Sequence, residues 1–185
     1  MPRHARLHSP DGGHAVSWSE FSSISLLRSL VAHGVDFVVV GGIAMIYQGS
    51  ARLTQGLDIC VAPAQANLDV LGQAMVELGA TPRGVDDEAT FIPDARALRQ
   101  LSIATFKTRE GPVDLLREPA GAPAYEELRR RADRIETDGM AILVASLDDL
   151  EAMKRAANRP KDRLDLEEIE VIRRLRARGI GPSKG

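Results

Sequence analysis

The chain has 185 residues with a net charge of −2, 44% hydrophobic and 27% charged residues; this suits one domain with a real core and excludes a polycation or a disordered body. Its single cysteine, Cys60, excludes an internal disulfide and, set in an apolar strand pattern, reads as a buried, inert thiol. No apolar run reaches about 18 residues and the Arg/His/Pro-rich amino terminus has no apolar signal core, so a cytoplasmic location without a membrane partner is expected.

Residues 1–18 contain Pro2, Pro10, Gly12, Gly13 and three of the four histidines without periodicity, and read as a disordered leader or an overlong gene start. His4, His8 and His14 are too irregularly spaced for a metal site. From Ser19, a capping residue, Phe21, Ile24, Leu27, Leu30 and Val31 recur at helical spacing up to His33-Gly34. Residues 35–40 form a buried strand, Gly41-Gly42 a tight exit, and residues 43–48 a short helix whose first amides suit an anionic group. Gly49-Ser50 is either the stop of that helix or a pair that touches phosphate. Residues 57–61 are a second strand, in which alternation puts Leu57, Ile59 and Val61 on one face and Gly56, Asp58, Cys60 and Ala62 on the other.

After Pro63, residues 65–78 read as an amphipathic packing helix through Leu68, Leu71, Met75 and Leu78, closed by Gly79. Residues 81–99 read as a surface connection with one short strand around Thr90-Phe91-Ile92. Residues 101–108 and 113–116 pair across Arg109-Glu110-Gly111, with Asp114 pointing away from the face of Val113 and Leu115. A short helix over 124–131 precedes a second hairpin, 134–137 with 141–144 across Asp138-Gly139. Ser146, with Asp149 in place of the usual Glu or Gln, resembles a capping box for a helix from Leu147. Pro160 breaks that helix, and a last one runs from about Lys161 through Leu164, Leu166, Ile169, Ile172 and Leu175 to Gly179, leaving 180–185 as a disordered tail. The order predicts an α+β plan with a mixed sheet flanked by helices.

A lone carboxylate in an apolar strand is costly if buried without a cation or donor, which makes Asp58 the sharpest candidate for chemistry. Asp114 repeats the pattern, and the two converge only if their strands are neighbours. Arg52 and Thr54 carry groups that suit phosphate oxygens, although a plain turn role fits them equally. Carboxylates two residues apart on a strand can grip divalent cations, but only Asp58 is acidic and position 56 is glycine.

Gly41-Gly42, then Arg52-x-Thr54-x-Gly56-x-Asp58, the 111–116 strand with Asp114, and the stretch from Leu147 through Lys154 to Lys161-Asp162-Arg163 and Asp165 together resemble a known family. They are similar to the minimal nucleotidyltransferases of the DNA polymerase beta superfamily, particularly the AbiEii-type toxins of bacterial toxin–antitoxin systems. The resemblance spans roughly residues 20–178 and implies a nucleotidyltransferase core over 19–145 with a closing helical segment of the same domain over 146–179. It implies a metal-dependent enzyme that moves a nucleoside monophosphate from an NTP to an acceptor hydroxyl. The tRNA 3′ end is the acceptor implied by some relatives and a protein hydroxyl is the alternative, with a cognate antitoxin as partner.

By the same resemblance Asp58 and Asp114 are ligands of Mg²⁺, and Asp58, Asp114, Lys154 and position 56 are catalytic. Gly41, Gly42, Ser50, Arg52, Thr54, Lys154 and Lys161 bind nucleotide, while Asp162 and Asp165 orient these bases or cap a helix. The family motif reads Arg-x-Thr-x-Asp-x-Asp, so Gly56 removes the first metal carboxylate of a two-cation site. The expectation is an inactive or impaired chain, through natural loss or a substitution made so that a toxic enzyme could be produced. A non-catalytic binding or antitoxin module on the same fold is the competing expectation. One Trp, two Tyr and four Phe offer no base-stacking platform, so RNA contact would rest on phosphate charge. Residues 146–185 carry 10 Lys/Arg against 8 Asp/Glu, which makes either a basic tail for phosphate or a solvated helix face.

Overall fold

A computed structural model describes residues 23–54, 56–84, 93–100 and 102–180. In chain order the elements are α1 (Ser23–Ala32), β1 (Phe37–Val40), α2 (Gly41–Tyr47), β2 (Leu57–Val61), α3 (Gln65–Glu77), β3 (Thr81–Pro82) and α4 (Ala95–Gln100). They continue with β4 (Ile103–Thr108), β5 (Gly111–Leu116), α5 (Tyr125–Arg131), β6 (Asp133–Thr137), β7 (Met140–Val144), α6 (Leu147–Ala157) and α7 (Pro160–Ala177). Among the described residues the strands form one seven-stranded sheet in the order β3-β4-β5-β2-β1-β7-β6. β2 lies in its middle, antiparallel to β1 and parallel to β5, while β1 pairs with β7 in parallel. The mixed sheet and its helices are the α+β architecture expected from the order of elements.

Apolar sequence explains the centre. All four residues of β1 are buried, and β2 is buried except at Asp58, which is half-buried. Leu26, Leu27 and Leu30 of α1, Leu68, Leu71 and Met75 of α3, and Leu150 and Ile169 of the closing helices bury their side chains in the same core. Both hairpins form with the expected turns, and at the second one Asp138 and Gly139 both adopt positive φ, the turn chemistry that matches strand twist. Cys60 is buried, and burial pushes its thiol up to about 12, consistent with an inert group.

Two expectations are corrected. The 81–99 stretch is more than a connection, because Thr81–Pro82 adds an edge strand to β4 and Ala95–Gln100 forms a helix against α3. Pro160 does not break a helix: α6 ends at Asn158, which adopts the left-handed conformation, and Pro160 opens α7, where its missing N–H has no intrahelical partner to lose. Ser146 caps α6 by accepting the Asp149 N–H at 3.2 Å, and its hydroxyl donates to the Asp149 carboxylate. The Ser19 cap, Phe21, the strand around 90–92, the 1–18 leader and residues 181–185 of the tail lie outside the described residues. Among the described residues no helix is long and apolar enough to cross a membrane.

The far end of the central strands is pinned by Asn67 at the start of α3. Its buried carboxamide accepts the Asp36 N–H at 2.7 Å and donates to the Asp36 and Ala62 carbonyls, both at 3.0 Å. Asp36 in turn accepts from Tyr125 Oη and Arg129 Nε, which anchors α5. Asn67→Ala removes three hydrogen bonds and orphans a buried amide, so urea unfolding should show a loss of about 1–3 kcal/mol.

Candidate active site

The site starts from the register of two neighbouring strands. β2 and β5 pair in parallel with Asp58 opposite Asp114, so the convergence that the sequence left conditional is met. Asp58 also lies opposite Val40, the last residue of β1, and the chain turns there directly into α2. Gly41 takes φ +64°, and any Cβ on it would collide with the Asp58 carboxylate; a Cβ on Gly42 would lie 2.6 Å from Thr54 Oγ1. The pair is glycine because the α2 backbone presses on Asp58 and Thr54. The Gly42 backbone amide lies close enough to Asp58 to lower its pKa.

Burial raises the pKa of Asp58 above its ordinary 3.8, and the nearby Asp114 charge raises it further; the Gly42 amide, Lys161 and Lys154 offset part of this. A cleft of about 410 Å³ opens over the carboxylates, lined by Gly41, Gly42, Ser50, Arg52, Thr54, Asp58, Asp114, Lys154 and Lys161. Every site residue named from the sequence therefore lines one space except Gly56, which stands just before β2 and is not part of the lining.

The basic side of this cleft is held by the closing helices. Lys154 of α6 is buried and forms ion pairs with Asp165 and, at 3.4 Å, Asp162 of α7. Arg52 reaches the other oxygen of Asp165 at 2.5 Å. Asp162 also caps α7 through the Arg159 N–H and pairs with the Arg159 guanidinium. Burial pushes its pKa up, but these Arg159 donors and the Lys154 charge outweigh that and hold it at about 2. Thus Asp162 and Asp165 do both things the sequence left open, capping a helix and fixing basic side chains. Lys154 is not a bare cation aimed at phosphate, because it is held by two carboxylates, which it shares with Arg52 and Arg159. Ser50 accepts the Arg52 N–H and donates to Glu168 of α7 at 2.9 Å, which ties the loop before β2 to the last helix.

One polar partner of the carboxylates escaped the sequence reading. Arg83, just after β3, forms an ion pair with Asp114 at 3.0 Å. No local pattern marks it, because its position depends on β3 joining the edge of the β4–β5 hairpin and on the bond from the Arg83 N–H to the Thr105 carbonyl. The ledge beside Asp114, formed by Ile103, Leu116 and Pro119, was equally invisible.

The carboxylate pair fits a single Mg²⁺, which takes one or two protein carboxylates and completes its shell with water and phosphate oxygens. Among the described residues no three His, Cys, Asp or Glu side chains converge to hold a metal. The further carboxylate that the motif resemblance implies at position 56 is absent, glycine standing there. The absence is chemical rather than steric, since a Cβ there would meet Pro112 at 3.6 Å, an ordinary contact.

No family model matches the sequence, and no curated protein does. Solved structures do resemble the chain. The lincosamide antibiotic adenylyltransferase LnuA, in its lincomycin-bound form, has a TM-score of 0.55 and 14% identity over 80% of this chain and 94% of its own. A Thermotoga maritima protein provisionally classed as a nucleotidyltransferase has a TM-score of 0.47 and 16% identity over 83% and 87% of the two chains. The antibiotic-resistance factor ANT(2″)-Ia, determined in solution, has a TM-score of 0.48 and 14% identity over 86% and 94%. The fold is the nucleotidyltransferase fold.

Two outcomes follow from this geometry. Gly41→Ala combines a left-handed backbone with a clash against Asp58 and should lower unfolding stability by about 2–4 kcal/mol, whereas Gly56→Ala should change it by less than about 1 kcal/mol; urea titrations compare them. Because the folded state raises the pKa of Asp58, it binds that proton more tightly than the unfolded chain, and stability falls as pH rises from about 3.8 through the raised value. Asp58→Asn should therefore be more stable than the parent at pH 7, with the margin vanishing below pH 3.8 in urea titrations across pH.

Proposed function

We propose that the chain is built as a nucleotidyltransferase: a nucleoside triphosphate and an acceptor hydroxyl meet in the cleft, the acceptor oxygen bonds to the α-phosphorus, and pyrophosphate leaves. The observation that carries this reading is the parallel pairing of Asp58 with Asp114 beneath the glycine turn into α2. A magnesium ion held by Asp58 and Asp114 together with nucleotide phosphates would supply electrostatic stabilisation to the transferring phosphoryl group. The chain's own contributions are separable. Arg52 and Lys154, oriented by Asp165, line the phosphate side, and the exposed Lys161 stands in the same lining. Gly41 and Gly42 let backbone close on the floor without a side chain between.

The toxin role, the tRNA 3′ end as acceptor and a cognate antitoxin as partner rest on the motif resemblance to AbiEii-type proteins. With Gly56 in place of the first carboxylate, the chain as it stands is an impaired or inactive transferase in this reading, because loss of a ligand weakens cation binding and misplaces the reacting oxygens. A second reading follows from the same residue: a binding module that keeps nucleotide recognition and dispenses with transfer. LnuA, an adenylyltransferase solved with lincomycin, adds a small hydroxylated molecule to the acceptor classes worth testing.

The test measures Mg²⁺-dependent incorporation of each labelled nucleotide into total tRNA, total protein and small hydroxylated acceptors, for this chain and for Gly56→Asp. Incorporation at least tenfold greater in Gly56→Asp is expected, with tRNA as the labelled fraction. Silence from both chains with retained nucleotide binding would establish the binding module instead. Label in protein or in a small acceptor would keep the transfer chemistry and replace its target.

A further inference from the structure

Asp58 and Asp114 do not have equivalent surroundings. Asp58 packs against the first residues of α2 at Gly41, whereas Asp114 is paired with a side-chain cation, Arg83, through the guanidinium Nη2 and the carboxylate Oδ1 at 3.0 Å. Arg83 belongs to the sheet edge rather than to the basic wall made by α6 and α7, and it is not part of the cleft lining. Its N–H donates to the Thr105 carbonyl at 2.9 Å, just beyond a strand of two residues. The ion pair is 41% exposed on the arginine side and 29% on the aspartate side, the range in which such pairs contribute little and are readily exchanged.

Charge bookkeeping gives this pair a meaning. Two ionised carboxylates carry −2, which one divalent cation neutralises alone. Keeping Arg83 on Asp114 as well would leave the two carboxylates with one positive charge more than they carry between them, although the ion pair engages only Oδ1. With aspartate at position 56 the floor would carry −3 and could satisfy both, so glycine at 56 is what sets the two cations against each other.

We propose that Arg83 is an internal counter-ion that competes with a divalent cation for Asp114, making cation binding an exchange in which the guanidinium leaves the carboxylate. This rests on the carboxylate pair being the cation site of the proposed transferase. Arg83 acts through Asp114 and is a positioning residue, not a catalytic one.

The experiment is Mn²⁺ binding to the full chain, read from the electron paramagnetic resonance signal of the free ion, for the parent, Arg83→Gln and Arg83→Ala, each also in an Asp114→Asn background. Far-UV circular dichroism and melting confirm that each variant is folded, and the glutamine variant retains most of the side-chain bulk. The apparent Kd for Mn²⁺ should fall about two- to fivefold in both Arg83 variants, the size expected for removing a half-exposed pair, and by less than about twofold when Asp114 is already asparagine. Unchanged or weaker Mn²⁺ binding in folded Arg83 variants of a parent that binds the ion would overturn the exchange and leave Arg83 as a brace for Asp114. Absence of Mn²⁺ binding from every chain would instead remove the cation site on which both proposals stand, and an equal gain in the Asp114→Asn background would show that Arg83 acts by general charge rather than at Asp114.

Discussion

Two like charges brought together at the centre of a sheet repel one another, and much of the molecule is arranged around containing that repulsion. The register of β2 against β5 places Asp58 beside Asp114 with no freedom to separate, since both strands are fixed by buried neighbours on either side. The protein answers with a backbone amide at one carboxylate and a guanidinium at the other, and with lysines from the closing helices at longer range. Burial, and after it the neighbouring Asp114 charge, keep the pKa of Asp58 raised, the sort of perturbation that accompanies sites prepared to hold a ligand.

The closing helices have their own logic. α6 and α7 bring Lys154, Asp162, Asp165 and Glu168 to one side of the cleft, and the resulting ion pairs are internal to that wall or reach the loop before β2. Arg176 adds a second tether by donating to both the backbone and side-chain oxygens of Gln48, at the end of α2. Such a network sets direction as much as strength. An isolated lysine has three rotatable donors and many rotamers, whereas one pinned by two carboxylates presents its charge from a fixed place.

Periodicity sufficed for most elements of this fold because their burial is one-sided or complete. Alternation in 140–144 and the three- and four-residue spacing in 65–78 are direct imprints of which face meets the core, whereas 57–61 is buried on both faces except at Asp58, and of the apolar positions in 160–177 Ile169 and Ile172 are buried while Leu164 and Leu175 are exposed. β3 and α4 had no such imprint: a two-residue edge strand is too short for alternation, and α4 has only Ala95 and Leu98 buried. In the site, the glycine pair and both aspartates were legible because their residue types are unusual in apolar strands. Arg83 was not, since arginine on a polar stretch is unremarkable until the sheet edge is assembled. The ion pairs of Lys154 were equally hidden, although Asp162 and Asp165 could be placed on its helical neighbour from their spacing.

The order in which the cleft's parts occur along the chain has a consequence for synthesis. Its acidic floor is complete by residue 116, at the end of β5, but its basic wall comes largely from α6 and α7, which follow it in the chain. A nascent chain would expose two crowded carboxylates with their nearest cation on the sheet edge, and the parallel partner of β1, strand β7, would still be missing. The cleft therefore gains its electrostatic balance only after α6 and α7 have been made. A chain that stops before α6 carries the acidic floor of the cleft without the basic wall that faces it.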